Sequence, residues 1–241
     1  MADFDADGRL DLYTGCFEGG VYLLKGLSAG EFAPALKVLD KTGAVLRIGQ
    51  YWDFDAGHWD AAKSSKFPDE LGIGAAAVDW DGDGDLDLVL GAYHGKLYLR
   101  RNLGTAKAAA FASDDEPLEA NGAPLMVESG HAIPVVADWD GDGLWDLLSG
   151  SDSGAVCWWR NVGTKGAPKF AAPLLLVEES SKAADAPGTR TQVSVCDFDA
   201  DGRLDLLLGD YRSEKNAAGK SVMHGYVWFF RRLAEPSPSA R

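Results

Sequence analysis

Four copies of one pattern recur along this chain of 241 residues: DFDADGRLDLYTG from Asp3, DWDGDGDLDLVLG from Asp79, DWDGDGLWDLLSG from Asp138 and DFDADGRLDLLLG from Asp197. Internal repetition limits the architecture more than any other feature, because each copy must build the same unit and bury it against its neighbours. The copies start 76, 59 and 59 residues apart (79−3, 138−79, 197−138), so the period is 59 and the first spacing carries 17 more (76−59).

Each copy lies among the same β signals. In the third unit IPVVAD (133–138), DLLSG (146–150), AVCWWRN (155–161) and KFAAPLLLV (169–177) read as four successive strands with Gly-containing turns between them. The second unit offers AAAVD, DLVLG, KLYLRRN and a looser AFASDDEPL. No segment shows capped helical periodicity. Repeated four-stranded antiparallel meanders arranged radially are the blades of a β-propeller, so an all-β fold of about four blades is expected. The units are 1–49, 71–130, 131–190 and 191–233, with a loop insertion at 52–70 and a Pro/Ser tail at 234–241. Only Met1 and Ala2 precede the first loop, and AEPSPSAR is unsuited to a strand. A fragment, or a ring completed by oligomerisation or by the remainder of a larger propeller, is therefore expected, with a compact four- or five-bladed ring as the alternative.

In every copy Asp occupies positions 1, 3, 5 and 9 and Gly position 6. Alternate carboxylates aim at one point, and the glycine permits the chain to wrap it. Ca²⁺ takes six to eight oxygens, including a main-chain carbonyl at position 7 of the EF-hand loop, whereas Mg²⁺ prefers a tighter, water-rich octahedron. Position 12, a Glu in EF-hands, holds Thr14, Leu90, Ser149 and Leu208 here, and strands replace the flanking helices. Two carboxylates about 4 Å apart repel by roughly 4 kcal/mol at an effective dielectric near 20, so four on one loop call for a counter-ion. An ordinary acidic turn is the plainer reading of one copy; four with the same Asp positions favour about four Ca²⁺. Those ions would move the formal charge from −14 to −6.

The DxDxDGxxD motif, followed by a Leu-rich strand ending in Gly, resembles the FG-GAP or VCBS-type repeat of integrin α-subunit propellers and of many secreted bacterial proteins. The resemblance implies these ligands: Asp3, Asp5, Asp7, the Arg9 carbonyl and Asp11; Asp79, Asp81, Asp83, the Asp85 carbonyl and Asp87; Asp138, Asp140, Asp142, the Leu144 carbonyl and Asp146; and Asp197, Asp199, Asp201, the Arg203 carbonyl and Asp205. It also implies that calcium stiffens each blade. The family commonly has seven blades, more than this chain supplies.

The net charge of −14 argues against a nucleic-acid backbone or an anionic membrane as partner. No apolar run is long enough for a membrane span and no export signal opens the sequence. Cys16, Cys157 and Cys196 fit neither a disulfide framework nor a zinc pattern. The metal loops occupy one propeller face, so a ligand would meet the other, where Trp52, His58, Trp59, Tyr93, His94, Tyr211, Arg212 and His224 gather in loops. Chance accumulation in long polar loops is the competing explanation for them. Trp80 and Trp139, at loop position 2, read as packing between blades. The leading expectation is a non-catalytic, calcium-stabilised module that binds a glycan or protein ligand in an extracellular, cell-surface or periplasmic setting. A polysaccharide-lyase-like enzyme and a purely structural repeat are the alternatives.

Overall fold

The computed structural model describes residues 1–28, 30–60, 69–180 and 186–233. The tail 234–241 and residues 61–68 of the insertion lie outside them. Among the described residues regular structure is entirely strand and bridge, and no helix is long and apolar enough to cross a membrane.

The first sheet, ordered β1-β2-β5, comprises β1 (Leu12–Gly15), β2 (Val21–Leu24) and β5 (Leu36–Lys37), with a small side pair β3 (Gly26–Ser28) and β4 (Glu31–Phe32). Part of the insertion forms a hairpin, β6 (Tyr51–Asp53) and β7 (His58–Asp60). The second sheet runs through β8 (Gly72–Val78), β9 (Asp87–Ala92), β10 (Leu97–Arg100) and β11 (Glu116–Pro117), followed by the pair β12 (Glu119–Ala120) and β13 (Ala123–Pro124). The third is the uninterrupted meander β14 (Ile133–Ala137), β15 (Asp146–Gly150), β16 (Val156–Trp159) and β17 (Leu174–Val177). The fourth has β18 (Thr189–Cys196), β19 (Asp205–Lys215), β20 (Ser221–His224) and β21 (Val227–Phe230). These four antiparallel sheets form a four-bladed propeller in which one touches two, two touches three and three touches four. Among the described residues no strand pairing joins the fourth sheet to the first.

The two-residue side-chain alternation of strands explains the stacking. Leu88 and Leu90 of β9 meet Val21 and Leu23 of the first sheet, while Val89 faces Leu147 and Trp159 of the third. Leu148 and Val156 meet Leu206 and Leu208 in turn. Loop position 2 pins each seam: Phe4 stacks on Phe111 at 5.9 Å, Trp80 meets Phe170 in a tilted contact at 5.9 Å, and Trp139 lies under the Arg232 guanidinium at 4.9 Å. The glycine closing each of the first three motifs permits the close approach. A Cβ on Gly15 would stand 2.6 Å from the Ile73 carbonyl oxygen, and one on Gly91 or Gly150 would overlap the carbonyl of Ala132 or Thr191.

The strands of the third unit fall where the sequence places them. Two stretches differ. DYRSEKNAAGKSVMHG is a hairpin, not a loop: β19 continues to Lys215 and pairs with β20, Arg212 opposite His224. Charged residues along it disguise a strand that packs against no core. In the first sheet, the innermost position held by β8, β14 and β18 elsewhere is represented by one bridge, Ala2 to Asp11.

Candidate functional site

Each acidic loop gathers three carboxylates whose oxygens lie within 4.8 Å of one another: Asp3, Asp5 and Asp11; Asp79, Asp81 and Asp83; Asp138, Asp140 and Asp142; Asp197, Asp199 and Asp205. The loop backbone supports them. Asp3 accepts the N–H groups of Asp7 and Gly8, and Asp197 those of Asp201 and Gly202 in the equivalent places. Positive φ occurs at position 4 in all four loops, at Ala6 (53°), Gly82 (82°), Gly141 (79°) and Ala200 (59°).

The Asp at position 9 has a separate task. Asp11, Asp87, Asp146 and Asp205 are almost wholly buried, and each fastens the loop to the end of the third strand. One oxygen accepts the position-2 N–H, from Phe4, Trp80, Trp139 and Phe198 respectively. The other accepts the N–H of Gly26, Asn102, Asn161 or Arg232. Burial pushes the Asp87 carboxyl up to about 6 and raises that of Asp146.

The residue just before each of those four donors is a cation, and each reaches the Asp at position 3. Lys25 Nζ lies 2.6 Å from Asp5, Arg101 Nη1 3.1 Å from Asp81, Arg160 Nε 2.5 Å from Asp140, and Arg231 Nε 2.6 Å from Asp199. Each blade thus supplies a resident counter-charge to its own loop. It does not exhaust the acceptors. Within the clusters, Asp5 Oδ1 and Asp138 Oδ1 are buried with no hydrogen-bond partner. Orphaned anionic oxygens in an all-oxygen donor set fit a hard divalent cation such as Ca²⁺.

A second group of side chains surrounds the propeller axis. Repeat position 15 supplies Phe17, Tyr93, Asp152 and Tyr211, one per blade. The His131 ring lies 5.4 Å from that of Phe17 and 5.0 Å from that of Tyr93, with Nδ1 3.6 Å from Asp152. Arg190 contacts the same carboxylate at 3.2 Å, and its guanidinium stands 5.6 Å above the Tyr211 ring. His131 and Arg190 each stand seven residues before an acidic loop and have φ of 59° and 53°, a backbone region that disfavours non-glycine residues. His131 Nε2 is buried without a partner. Burial lowers its pKa, Asp152 opposes that shift, and Arg190 reinforces it. Phe17, His131, Arg190 and Tyr211 border a cavity of about 430 Å³ reached by all four blades, from Gly15 and Ile73 to Ile133 and Gly209.

Of the ligand-face residues expected from sequence, Tyr93 and Tyr211 reach this axial group. His94 packs beside Tyr93, but its Nδ1 is engaged by buried Glu70 at 3.1 Å, which also holds Lys96. Trp52 and Trp59 form a cross-strand pair 5.5 Å apart on the β6–β7 hairpin, with His58 opposite Asp53. Arg212 donates to the Ala186 carbonyl, and His224 stacks on Tyr226. Phe17 and Asp152 were not among the expected site residues. The repeat arithmetic carried the signal, because Phe17 and Asp152 occupy the position of Tyr93 and Tyr211.

Comparison with known families matches residues 138–208, the third acidic loop through to β19, to the FG-GAP-like repeat. None of the curated proteins compared matches the chain.

Proposed function

We propose, taking the FG-GAP-like repeat of residues 138–208 as premise, that the chain is a calcium-stabilised propeller serving as a non-catalytic binding module for a glycan or protein ligand in an extracellular, cell-surface or periplasmic setting. One observation carries the calcium reading: four loops gather carboxylates around a point, and two of these clusters, at Asp5 and Asp138, retain a buried oxygen that no protein group satisfies. The ion would be held by the Asp residues at positions 1, 3, 5 and 9, with the main-chain carbonyls of Arg9, Asp85, Leu144 and Arg203 completing the oxygen set. Bound there, it supplies positive charge that cancels carboxylate repulsion. With the metal loops committed to holding the blades, recognition falls to the axial group of Phe17, Tyr93, His131, Arg190 and Tyr211, where rings and a guanidinium border a cavity. Trp59 on the neighbouring hairpin, 49% exposed, adds a further aromatic surface.

Calorimetric titration of calcium into chelator-treated full-length chain tests the first part, with about four sites expected and absence of binding overturning it. Glycan-array and pull-down binding, repeated with Tyr93→Ala and Trp59→Ala, test the second. Unchanged binding by both variants would remove the ligand from this face.

A further inference from the structure

The four acidic loops, 3–11, 79–87, 138–146 and 197–205, share one backbone bond and differ in the side chain beside it. In each, Oδ1 of the position-5 Asp accepts the N–H of position 7: Asp7 from Arg9 at 2.9 Å, Asp83 from Asp85, Asp142 from Leu144 and Asp201 from Arg203 at 3.0 Å. The other oxygen of that carboxylate is left to the surroundings. Position 7 is Arg in the first and fourth loops, Asp in the second and Leu in the third.

Where position 7 is Arg, its guanidinium takes that second oxygen. Arg9 Nη2 lies 2.5 Å and Nε 3.1 Å from Asp7 Oδ2, and Arg203 Nη2 lies 2.6 Å from Asp201 Oδ2. The make-up of the carboxylate clusters divides in the same way. In the second and third loops the converging carboxylates come from positions 1, 3 and 5. In the first and fourth they come from positions 1, 3 and 9, and neither Asp7 nor Asp201 is among them. A cation reaching in from the adjacent strand does not have this effect, since Asp142 stays in its cluster although Arg160 touches it at 3.1 Å. The arginine two residues along the same turn, already joined to the Asp by the backbone bond, folds the carboxylate back onto its own loop.

Charge ranks the loops in the same order. The second holds five carboxylates against one cation, Arg101, and the third four against one, Arg160. The first and fourth hold four against two, Arg9 with Lys25 and Arg203 with Arg231.

We propose that the arginine at position 7 sets the affinity of its loop by latching the position-5 carboxylate, so that the chain carries two classes of calcium site. The second and third loops are the tighter pair, the first and fourth the weaker. This deepens the calcium reading and rests on it. A cation entering the first or fourth loop must displace the guanidinium from Asp7 or Asp201, and a tethered positive charge then stays nearby. In the second and third loops positions 1, 3 and 5 are already gathered. An exposed ion pair is weak, so the difference is modest, roughly fivefold in dissociation constant per site. The second and third blades therefore stiffen at lower calcium than the first and fourth.

Calcium titration of the full-length chain against a competing chelator tests this. The wild type should show two tighter and two weaker sites. Arg9→Leu combined with Arg203→Leu installs the residue that the third loop carries and should merge the four into one class, the weaker pair tightening roughly fivefold. The melting temperature of that variant in chelator should change little, because both arginines are about half exposed. The converse variant, Leu144→Arg, should move the third loop to the weaker class and leave a single tight site. Four equal sites in the wild type, two classes that persist in the double variant, or a Leu144→Arg chain that keeps both tight sites would each overturn the proposal and leave the calcium reading intact. Absence of binding in the wild type and both variants would overturn both.

Discussion

Asp146 Oδ1 accepts the main-chain N–H of Asn161 at 2.7 Å, and the aspartate is fully buried. Its other oxygen holds Trp139 N–H. Asn161 then accepts, through its side-chain oxygen, the N–H groups of Gly163 and Lys169. One carboxylate thereby ties the acidic loop, the end of β16 and the connection to β17 together. Asp146→Ala should destabilise the chain by about 2–4 kcal/mol, because two buried donors lose their acceptor. Asp146→Asn, which keeps one acceptor oxygen, should lose less. Urea unfolding of both variants in chelator separates this role from metal binding.

Calcium removal should lower the melting temperature. A site filled to about 100 times its dissociation constant adds roughly 2.7 kcal/mol through linkage. Thermal scans with calcium and with EGTA measure this, and coincident scans would contradict the metal reading.

Arg160 contacts both Asp140 and Asp142, so Arg160→Gln should have opposite effects in the two states. Without metal, the third loop loses its counter-charge and stability falls slightly, as solvent screens an exposed pair. With calcium in solution the ion no longer competes with the guanidinium, and calorimetry should show tighter binding at one site. Arg101 is shared between Asp81 and Glu116, so Arg101→Gln should change affinity less.

Gly150→Ala forces a Cβ into the Thr191 carbonyl and should cost about 1–3 kcal/mol. Gly209→Ala, at the same repeat position with open space beside it, should be neutral or stabilising by up to about 1 kcal/mol. Denaturant midpoints of the two variants read the difference directly.

His131 is buried and its pKa is lowered from the ordinary value near 6.5, with Asp152 raising and Arg190 lowering it. The unfolded chain therefore binds the proton more readily than the folded one. The stability this contributes is complete above pH 6.5 and is lost as pH falls through the folded-state pKa. His131→Gln should flatten that part of the melting-temperature profile between pH 7 and 5.

The blade architecture was legible because its period lies in residues that have no alternative: four Asp-Gly loops and four strand-ending glycines. IPVVA and DLLSG are short apolar runs bounded by turns, and such runs have few other structures available. The β19–β20 hairpin was not legible, since Arg212, Glu214 and Lys215 on an exposed ribbon show no buried face to mark a strand. At the site, the acidic clusters could be read from spacing alone. The resident cations could not, because Lys25 or Arg160 becomes a partner of its loop only once the strand that precedes it has returned antiparallel beside the strand leaving that loop. The axial group was legible in part: Tyr93 and Tyr211 stood out as aromatics with a polar tip, but Phe17 offers the ring without the hydroxyl and Asp152 shares their place without the ring.

The lysine and three arginines at the strand ends have one more effect. A metal entering these loops would meet, in each, at least one carboxylate already paired with such a cation, so loading would be in part an exchange and not a simple addition. Each ion that arrived would free a basic side chain into the water around the rim. The filled molecule would then differ from the empty one in the pattern of its outer charges as well as in rigidity, and a neighbour sensitive to surface cations could tell the two apart without touching the metal.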